Sequence, residues 1–152
     1  MSRPSPAMLS WRNLHLVHAA VRQRLDARLA AEAACSLVEH DLMAWLATDP
    51  AGLRMSDLAE ALAVTPGGLT RIVDRLAKRA WVVRGPVERN RREVRAMLSP
   101  EGRVALRNAR RVYGSVLAEM LAAPLTEEEL ETLGRLSGKV LDGIMTKRQQ
   151  QT

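Results

Sequence analysis

Arginines and small polar side chains between residues 65 and 92 have the types and the spacing needed to bind a polyanion. An arginine guanidinium carries five N–H donors in a planar fork, which matches either a phosphate group or the edge of a guanine base. Arg71 and Arg75 stand one helical turn apart, and an arginine pair follows at 91–92. Residues 54–111 hold 14 Lys and Arg against 6 Asp and Glu, a net +8 in a chain of total charge +6. Such a local concentration is expected of a surface that meets nucleic-acid phosphates, and a solvated basic surface without function is the alternative.

A helix-turn-helix pattern would position the first group of these residues. Ser56 is suited to cap a helix that runs through Ala63, and Val64-Thr65 forms the turn. Thr65 can cap the next helix, whose first position is Pro66, a place where proline is favoured. The predicted buried stripe of this helix is Leu69, Ile72, Val73 and Leu76. The side chains placed largely on its other side are Thr70, Arg71, Asp74, Arg75 and Lys78.

A β-hairpin is predicted after the second of these helices. Trp81–Arg84 and Glu93–Leu98 are rich in β-branched and apolar residues, as strands are. Gly85-Pro86 and Asn90 supply the turn chemistry between them. The hairpin then carries the second group of arginines near its tip.

Long amphipathic helices flank this central segment. The first runs from Met8 to about Ala34, and a capping box at Ser36 opens another that reaches about Thr48. Ser99-Pro100-Glu101 begins a helix to about Ala123, and a second capping box at Thr126 opens the last one. Their apolar stripes are too broad for so small a central segment to cover. We therefore expect a homodimer with two DNA-reading heads, and a monomer that folds its own helices back is the alternative.

Composition narrows the class of protein further. The chain of 152 residues has no Phe, 3% aromatic residues and 47% apolar residues, which favours a helical core of Leu, Val, Ala and Met. Its single cysteine excludes an internal disulfide, and neither a signal peptide nor a membrane-spanning run is found, so we expect a cytoplasmic protein. No phosphate loop, nucleophile elbow or HExxH motif is present, and we expect no enzyme activity and no cofactor.

Two motifs carry a resemblance to the MarR family of transcriptional regulators. Asn90-Arg91-Arg92 followed by Leu98-Ser99-Pro100-Glu101-Gly102 resembles the family's wing signature, and Leu69–Leu76 is similar to its recognition helix. The resemblance implies a mainly α fold: a winged helix-turn-helix with a small β-hairpin wing, and terminal helices that form a dimerisation region. A single domain over 1–152 is expected. Its DNA-binding part is assigned to 36–99, and its dimerisation helices to 8–34 and 100–146.

The resemblance also implies roles for the basic residues on duplex DNA. Arg92, with Arg91 in support, would enter the minor groove, where the negative potential of a narrow A·T-rich groove favours arginine. Thr70 and Arg71 would read base edges in the major groove of a pseudo-palindromic operator. The full set of candidate DNA-binding residues is Thr65, Gly67, Gly68, Thr70, Arg71, Arg75, Lys78, Arg89, Arg91 and Arg92.

Several of these assignments leave alternatives open. Arg75, Lys78 and Arg89 are assigned to phosphates, but Asp74 and Arg75 could instead take part in an intramolecular ion pair that holds helix to wing. Gly67-Gly68 either lets the backbone approach DNA closely or merely loosens the joint. Asn90 departs from the family's Asp, keeping an acceptor but losing the charge, and Glu88 could substitute as the anionic partner of the wing arginines.

A candidate effector site lies where the first two helices would meet the DNA-binding part. The resemblance implies an aromatic, phenolic or carboxylate ligand there, and such a pocket needs apolar walls with a few polar groups. The candidate lining residues are Trp11, His15, His18, Asp41 and Trp45. Tryptophans in a core or an interface are the alternative. His15, His18 and His40 raise the alternative of a metal-responsive regulator, but no ligand spacing fixes a site, so no metal is assigned. Cys35 is interpreted as a small buried thiol.

The leading hypothesis is a dimeric, sequence-specific transcriptional regulator, a repressor released by a small effector. The second is an architectural DNA-binding protein without an effector. The third is a winged helix that binds protein instead of DNA, for which weak and salt-insensitive DNA binding would be the sign.

Overall fold

The fold is described from a computed structural model that covers residues 4–87 and 90–149, with the backbone alone at 86–87, 90–93 and 148–149. In order, the elements of this part of the chain are α1 (Pro6–Ala33), α2 (Leu37–Leu46), β1 (Leu53–Arg54), α3 (Met55–Ala61), α4 (Pro66–Lys78), β2 (Val82–Val87), β3 (Asn90–Leu98), α5 (Pro100–Leu117), a π-helical turn (Ala118–Ala122) and α6 (Glu127–Gln149). The predicted class, mainly α with a small antiparallel β-hairpin, is confirmed.

The chain divides into two compact units, Met1–Gly114 and Ser115–Thr152. The first unit holds the helix-turn-helix of α3 and α4 together with the three-stranded sheet. The second holds the end of α5, the π-helical turn and α6. The helix predicted to reach about Ala123 continues past Leu117 as a single π-helical turn, after which Ala123 N–H bonds to the carbonyl of Ala118, five residues back. An apolar pattern cannot distinguish that single wider turn from regular helix.

Local capping chemistry begins the main helices where the sequence predicts. The Ser36 hydroxyl accepts from Glu39 N–H, and the Glu39 carboxylate accepts from Ser36 N–H, so both halves of the capping box form. Thr65 caps α4 and Thr126 forms the corresponding box before α6. The predicted cap at Ser56 is wrong: α3 begins at Met55, directly after β1, and the Ser56 hydroxyl donates to Asp57.

The sheet has the order β1-β3-β2 and is antiparallel throughout. Val82 pairs with Leu98 and Pro86 with Val94, so the ribbon is longer than predicted. Gly85-Pro86 does not form the turn but belongs to β2, which corrects the prediction. A proline fits there because β2 is an edge strand, and the register shifts directly after it, between Pro86 and Val87.

The core of the first unit is built mainly from buried apolar side chains of α2, α4 and α5. Leu42, Met43 and Leu46 of α2 are buried, as is the whole predicted stripe of α4. Leu106, Ala109 and Val112 are the corresponding buried residues of α5. The first two thirds of α1, in contrast, bury no side chain, and its contribution to the core is Leu25 and Leu29.

A tight joint connects the first turn of α5 to the segment that follows α4. The Ser99 hydroxyl donates to the carbonyl of Ala80 (2.6 Å) and accepts from Gly102 N–H (2.9 Å). Ser99 N–H donates to the carbonyl of Trp81 (3.1 Å). A Cβ added at Gly102 would stand 2.0 Å from that same carbonyl oxygen, so a glycine is required for this approach. The joint therefore fixes where the hairpin leaves the helical core.

Candidate nucleic-acid interface

Helix α4 presents a polar face opposite a fully buried one. The Thr65 hydroxyl accepts from Gly68 N–H at 3.1 Å and caps the helix, while Leu69, Ile72, Val73 and Leu76 are buried. The predicted DNA-facing residues that are exposed on α4 and at its cap are Thr65, Gly67, Thr70, Arg71, Arg75 and Lys78. The amphipathic pattern therefore aims the basic residues outward because the apolar stripe must face the core.

Thr70 and Arg71 differ in how far the protein restrains them. The Thr70 hydroxyl donates to the carbonyl of Pro66 at 3.0 Å, so its proton is used within the helix while its methyl group and lone pairs remain available. Arg71 makes no ion pair with any residue that the structure describes. As far as the described residues are concerned, its N–H donors are therefore available to an external acceptor.

Arg75 is anchored to helix α2. Its Nε donates to Oε1 of Glu39 at 3.0 Å, and the carboxylate is buried while the arginine side chain is 53% exposed. Burial alone would raise the pKa of Glu39, but the Ser36 N–H and the Arg75 guanidinium together hold it below its ordinary value. Since this pKa is lowered on folding, the pair stabilises the fold above the usual carboxyl range. That contribution is lost as the pH falls through the lowered pKa.

Asp74 ties α4 to the hairpin instead. The Arg84 guanidinium of β2 lies 2.8 Å from the Asp74 carboxylate and also donates to the carbonyl of Thr70 at 3.2 Å. The predicted ion pair between helix and wing therefore exists at Asp74, whereas Arg75 pairs with α2. Two ion pairs thus hold α4, which supplies the cation to the pair with α2 and the anion to the pair with β2.

Of the two glycines at the start of α4, Gly67 stands in open space and Gly68 lies close to the helix cap. A Cβ at Gly67 would meet no described atom within 4 Å, and one at Gly68 would meet only the Thr65 hydroxyl at 3.1 Å. No packing reason within the described protein requires glycine at Gly67. Its open surroundings are compatible with close approach of a ligand backbone and equally with a loosened joint.

The arginines of the hairpin tip are only partly covered by the structure. Arg91 and Arg92 belong to β3 by their backbone, whereas Arg89 and Glu88 lie outside the described residues. The side chains of Arg91, Arg92 and Asn90 also lie outside them. The assigned roles of these residues, including the exchange of Asp for Asn90, stay predictions.

The predicted effector residues are not brought together as a group. A cleft of about 390 Å³ between α2 and α3 is lined by Asp41, Ala44, Trp45, Thr48, Ala61 and Leu62. It joins Asp41 and Trp45 as predicted, but Trp11, His15 and His18 do not line it. Instead, Trp11 and His15 lie one turn apart on α1 with ring centroids 6.0 Å apart, and His18 is exposed on the same helix.

His40 and Cys35 have packing roles in the first unit. The His40 ring stacks on Tyr113 with centroids 4.5 Å apart, and its Nδ1 lies 2.9 Å from the Asp41 carboxylate. Burial, together with the nearby Asp41, raises the pKa of the Tyr113 hydroxyl. Burial also raises the pKa of Cys35 to about 11, so the thiol stays protonated, and its interpretation as a buried thiol is confirmed. No group of three or more His, Cys, Asp or Glu suited to a metal ion occurs in the described ranges 4–87 and 90–149.

Sequence reasoning missed the anchoring roles of Glu39 and Arg84. Glu39 was identified only as part of a capping box, and Arg84 only as a strand residue. Arg75, the partner of Glu39, is 36 residues away from it along the chain. The Thr70 carbonyl, which accepts from Arg84, is 14 residues away from that arginine. No local pattern in the sequence reports pairs so far apart.

An exposed basic helix in a helix-turn-helix, followed by a two-stranded ribbon, defines a winged helix-turn-helix protein. The family model described as the MarR family matches residues 36–93. The HTH-type transcriptional regulator PecS of Dickeya dadantii is 30% identical over 112 residues, which cover 72% of this chain and 67% of PecS. The chain belongs to the MarR family.

Two further relatives define how far the similarity extends. The multiple antibiotic resistance protein MarR of Salmonella typhimurium is 34% identical over 85 residues, or 56% of this chain and 59% of that protein. The chain therefore matches somewhat more than half the length of that relative. The crystal structure of Sco3205, a MarR family transcriptional regulator from Streptomyces coelicolor, in complex with DNA superimposes with a TM-score of 0.79 at 28% identity. The superposition covers 94% of this chain and 91% of that one.

Within residues 4–87 and 90–149, no helix combines the length and the apolar character of a membrane-spanning segment.

Proposed function

We propose that this protein is a sequence-specific DNA-binding transcriptional regulator that reads duplex DNA with the exposed face of α4. The observation that carries the proposal is the outward basic face of α4, which is held against the core by its buried stripe and tied to α2 and β2 by ion pairs. PecS is named a transcriptional regulator, and the structure of Sco3205 contains DNA, which supports the same role here.

The individual side chains divide into two roles on the DNA. Arg71, without a partner among the described residues, suits bidentate contact with guanine, and the Thr70 methyl suits contact with thymine. Arg75, Lys78 and Arg89 suit phosphates, with Arg91 and Arg92 in the minor groove. Thr65 and the two glycines that follow Pro66 would bring the start of α4 close to the DNA backbone.

We also propose that the protein acts as a homodimer on a pseudo-palindromic site. Along α1, exposed apolar side chains include Met8, Trp11, Leu14, Leu16 and Val17. Along α6 they include Leu133, Leu136, Val140, Leu141, Ile144 and Met145. Apolar surface of this extent on two long helices is the usual mark of an interface. A two-fold dimer would present two α4 helices one DNA turn apart, ~34–36 Å.

Replacing Arg71 with alanine tests the assignment of α4 to the major groove. The operator is first located by protection of DNA around the protein's own gene. Arg71→Ala is expected to weaken operator binding by ~1–3 kcal/mol and to relax preference at one base position, because a bidentate base contact is lost. Measured affinities for a panel of single-base operator variants give both quantities.

An exposed arginine outside α4 and the wing provides the matched control. Arg107→Ala on α5 removes the same charge and is expected to leave base preference unchanged. If Arg71→Ala weakens every operator variant equally, Arg71 contacts phosphate. If wild-type binding is weak and insensitive to salt, the DNA-binding proposal itself fails.

We propose further that the protein is a repressor released by a small aromatic effector bound in the cleft between α2 and α3. Trp45 supplies an aromatic wall and Asp41 a carboxylate, and the described residues that line the cleft include no Arg or Lys. This lining does not favour the aromatic anion that the family resemblance implies, since Asp41 would repel it. A metal-responsive mechanism has no support from the described residues.

Parallel titrations with salicylate and with benzamidine, an aromatic anion and an aromatic cation of similar size, test this effector site. An effector must bind the DNA-incompetent arrangement better, because equal affinity for both shifts nothing. We expect quenching of tryptophan fluorescence and loss of operator binding at the same ligand concentration. Trp45→Leu should abolish the quenching. Trp11→Leu should preserve it, because Trp11 does not line the cleft.

The outcomes of these titrations separate the candidate functions. Release of the operator by salicylate alone would support an aromatic anion as the effector. Release by benzamidine alone would support an aromatic cation. Release that survives Trp45→Leu with unchanged ligand affinity would place the effector site elsewhere. If neither compound changes operator affinity, the architectural DNA-binding protein gains support over the regulated repressor.

A further inference from the structure

The carboxylate of Glu39 links two helices through its two oxygens. Oε2 accepts from the backbone N–H of Ser36 at 2.9 Å, which closes the cap of α2. Oε1 accepts from Nε of Arg75 on α4 at 3.0 Å. The residue is 4% exposed, and a glutamate is rarely buried so deeply without a paired cation. Because the cap fixes the carboxylate to α2, its position does not depend on Arg75.

The contact restrains Arg75 from one side only. The bond is made at Nε, and the guanidinium carries four more N–H groups on its two Nη atoms. The side chain of Arg75 is 53% exposed on the same face of α4 as Arg71 and Lys78. The planar group is thus held at its inner edge while its outer donors face solvent.

We propose that Glu39 is a positioning residue for DNA recognition: it holds the Arg75 guanidinium so that the outer edge is already placed for a DNA phosphate. The inference rests on the proposed DNA binding. A free arginine loses rotamer freedom when it is immobilised at an interface, which weakens binding. Arg75 has already lost that freedom in the absence of DNA, because a buried and capped carboxylate fixes it.

Two other roles for Glu39 predict different results. If Glu39 neutralises Arg75 and competes with phosphate, its removal would increase DNA affinity. If Glu39 serves α2 as a cap alone, its removal would act independently of Arg75. The contact at Nε favours positioning over competition, since it leaves the Nη donors to the DNA.

A double-mutant cycle on operator affinity decides between these roles. Glu39→Gln keeps an oxygen for the Ser36 N–H and loses the charge, and Arg75→Gln removes the guanidinium. We expect Glu39→Gln to weaken operator binding about 5- to 10-fold when Arg75 is present, the scale of one immobilised side chain. In the Arg75→Gln background the same change should alter affinity less than about 2-fold, because coupled residues are not additive.

Salt dependence tests whether Arg75 contacts a phosphate and still does so when Glu39 is replaced. Arg75→Gln should reduce the slope of log affinity against log salt by about one unit, the loss of one phosphate neutralisation. Glu39→Gln should leave that slope unchanged, because Arg75 still reaches the phosphate. Folding of each variant is verified by thermal unfolding before binding is measured.

The second capping box of the chain provides the matched control. Glu129 also accepts from the backbone N–H of its cap residue, Thr126, at 2.8 Å, and it has no arginine partner among the described residues. Glu129→Gln should therefore leave operator affinity unchanged. The positioning proposal is overturned if Glu39→Gln increases affinity, if it costs the same in both Arg75 backgrounds, or if Glu129→Gln costs as much.

A measurement without DNA separates this proposal from the proposed function. If the wild-type protein binds no duplex DNA, the proposed function fails. Hydrogen exchange at the Arg75 Nε–H, followed by NMR, then decides whether Glu39 holds the guanidinium. Slow exchange that accelerates at least 10-fold in Glu39→Gln would support a held guanidinium. Exchange as fast as at Arg71 in the wild-type protein would overturn it.

Discussion

Replacing Gly102 with alanine is expected to destabilise the protein by about 3 kcal/mol, as overpacking against a rigid neighbour does. The added Cβ would lie 2.0 Å from the carbonyl oxygen of Trp81 and 2.9 Å from its carbonyl carbon. Backbone atoms cannot swing away as a flexible side chain can. The first turn of α5 must therefore move, and the hydrogen bonds of Ser99 to Ala80 and Gly102 weaken with it.

Gly114, on the same helix, is the matched control. A Cβ at Gly114 would meet nothing within 4 Å among the described atoms. Gly114→Ala is expected to stabilise the protein by about 0.5–1 kcal/mol, because alanine loses less backbone entropy in a helix. Urea unfolding of both variants gives the two free energies. Equal effects at the two positions would show that Gly102 is not a packing requirement.

A charge at Leu136 is expected to dissociate the proposed homodimer and to reduce operator affinity by about 100- to 10,000-fold. This range is the usual gain from linking two binding modules. Leu136 is 49% exposed on α6, so Leu136→Glu removes little from the core of its own chain. Sedimentation at micromolar concentration should show a monomer that remains helical by circular dichroism.

Arg135→Glu introduces the same carboxylate one residue earlier, about 100° round the helix from Leu136. That variant is expected to stay dimeric, because Arg135 lies away from the apolar stripe. A wild-type protein that sediments as a monomer would remove the dimer proposal altogether. A dimeric Leu136→Glu variant would place the interface on other residues.

Local chemistry made the helices of the DNA-binding part predictable. The caps at Ser36 and Thr65 and the buried stripe of α4 need only neighbours within a few residues, and each was confirmed. Family membership followed from the same kind of short motif around Arg91-Arg92. The start of α3 at Met55 was missed because Arg54, the residue before it, belongs to β1. That strand forms only by pairing with β3, which is distant in the sequence.

The contacts that hold α4 in place could not be predicted in the same way. Glu39 and Arg84 reach α4 from other elements, and only the folded chain brings them together. The placement of the candidate effector residues could not be predicted for a related reason. Trp11 and His15 share one face of α1, whereas the cleft with Asp41 and Trp45 is built by α2 and α3. Helical spacing predicts which residues share a face of a helix, but it does not predict which other element packs against that face.

Pro86 limits how a further strand could pair with the edge of the sheet. Strand β2 is one outer strand of the sheet, and Pro86, with the register shift after it, interrupts the row of donors that an added strand would need. At the opposite side, β1 is two residues long. Both sides of the sheet are thus poor templates for strand addition. The sheet therefore resists edge-to-edge aggregation, and the proposed dimer would form through the helices.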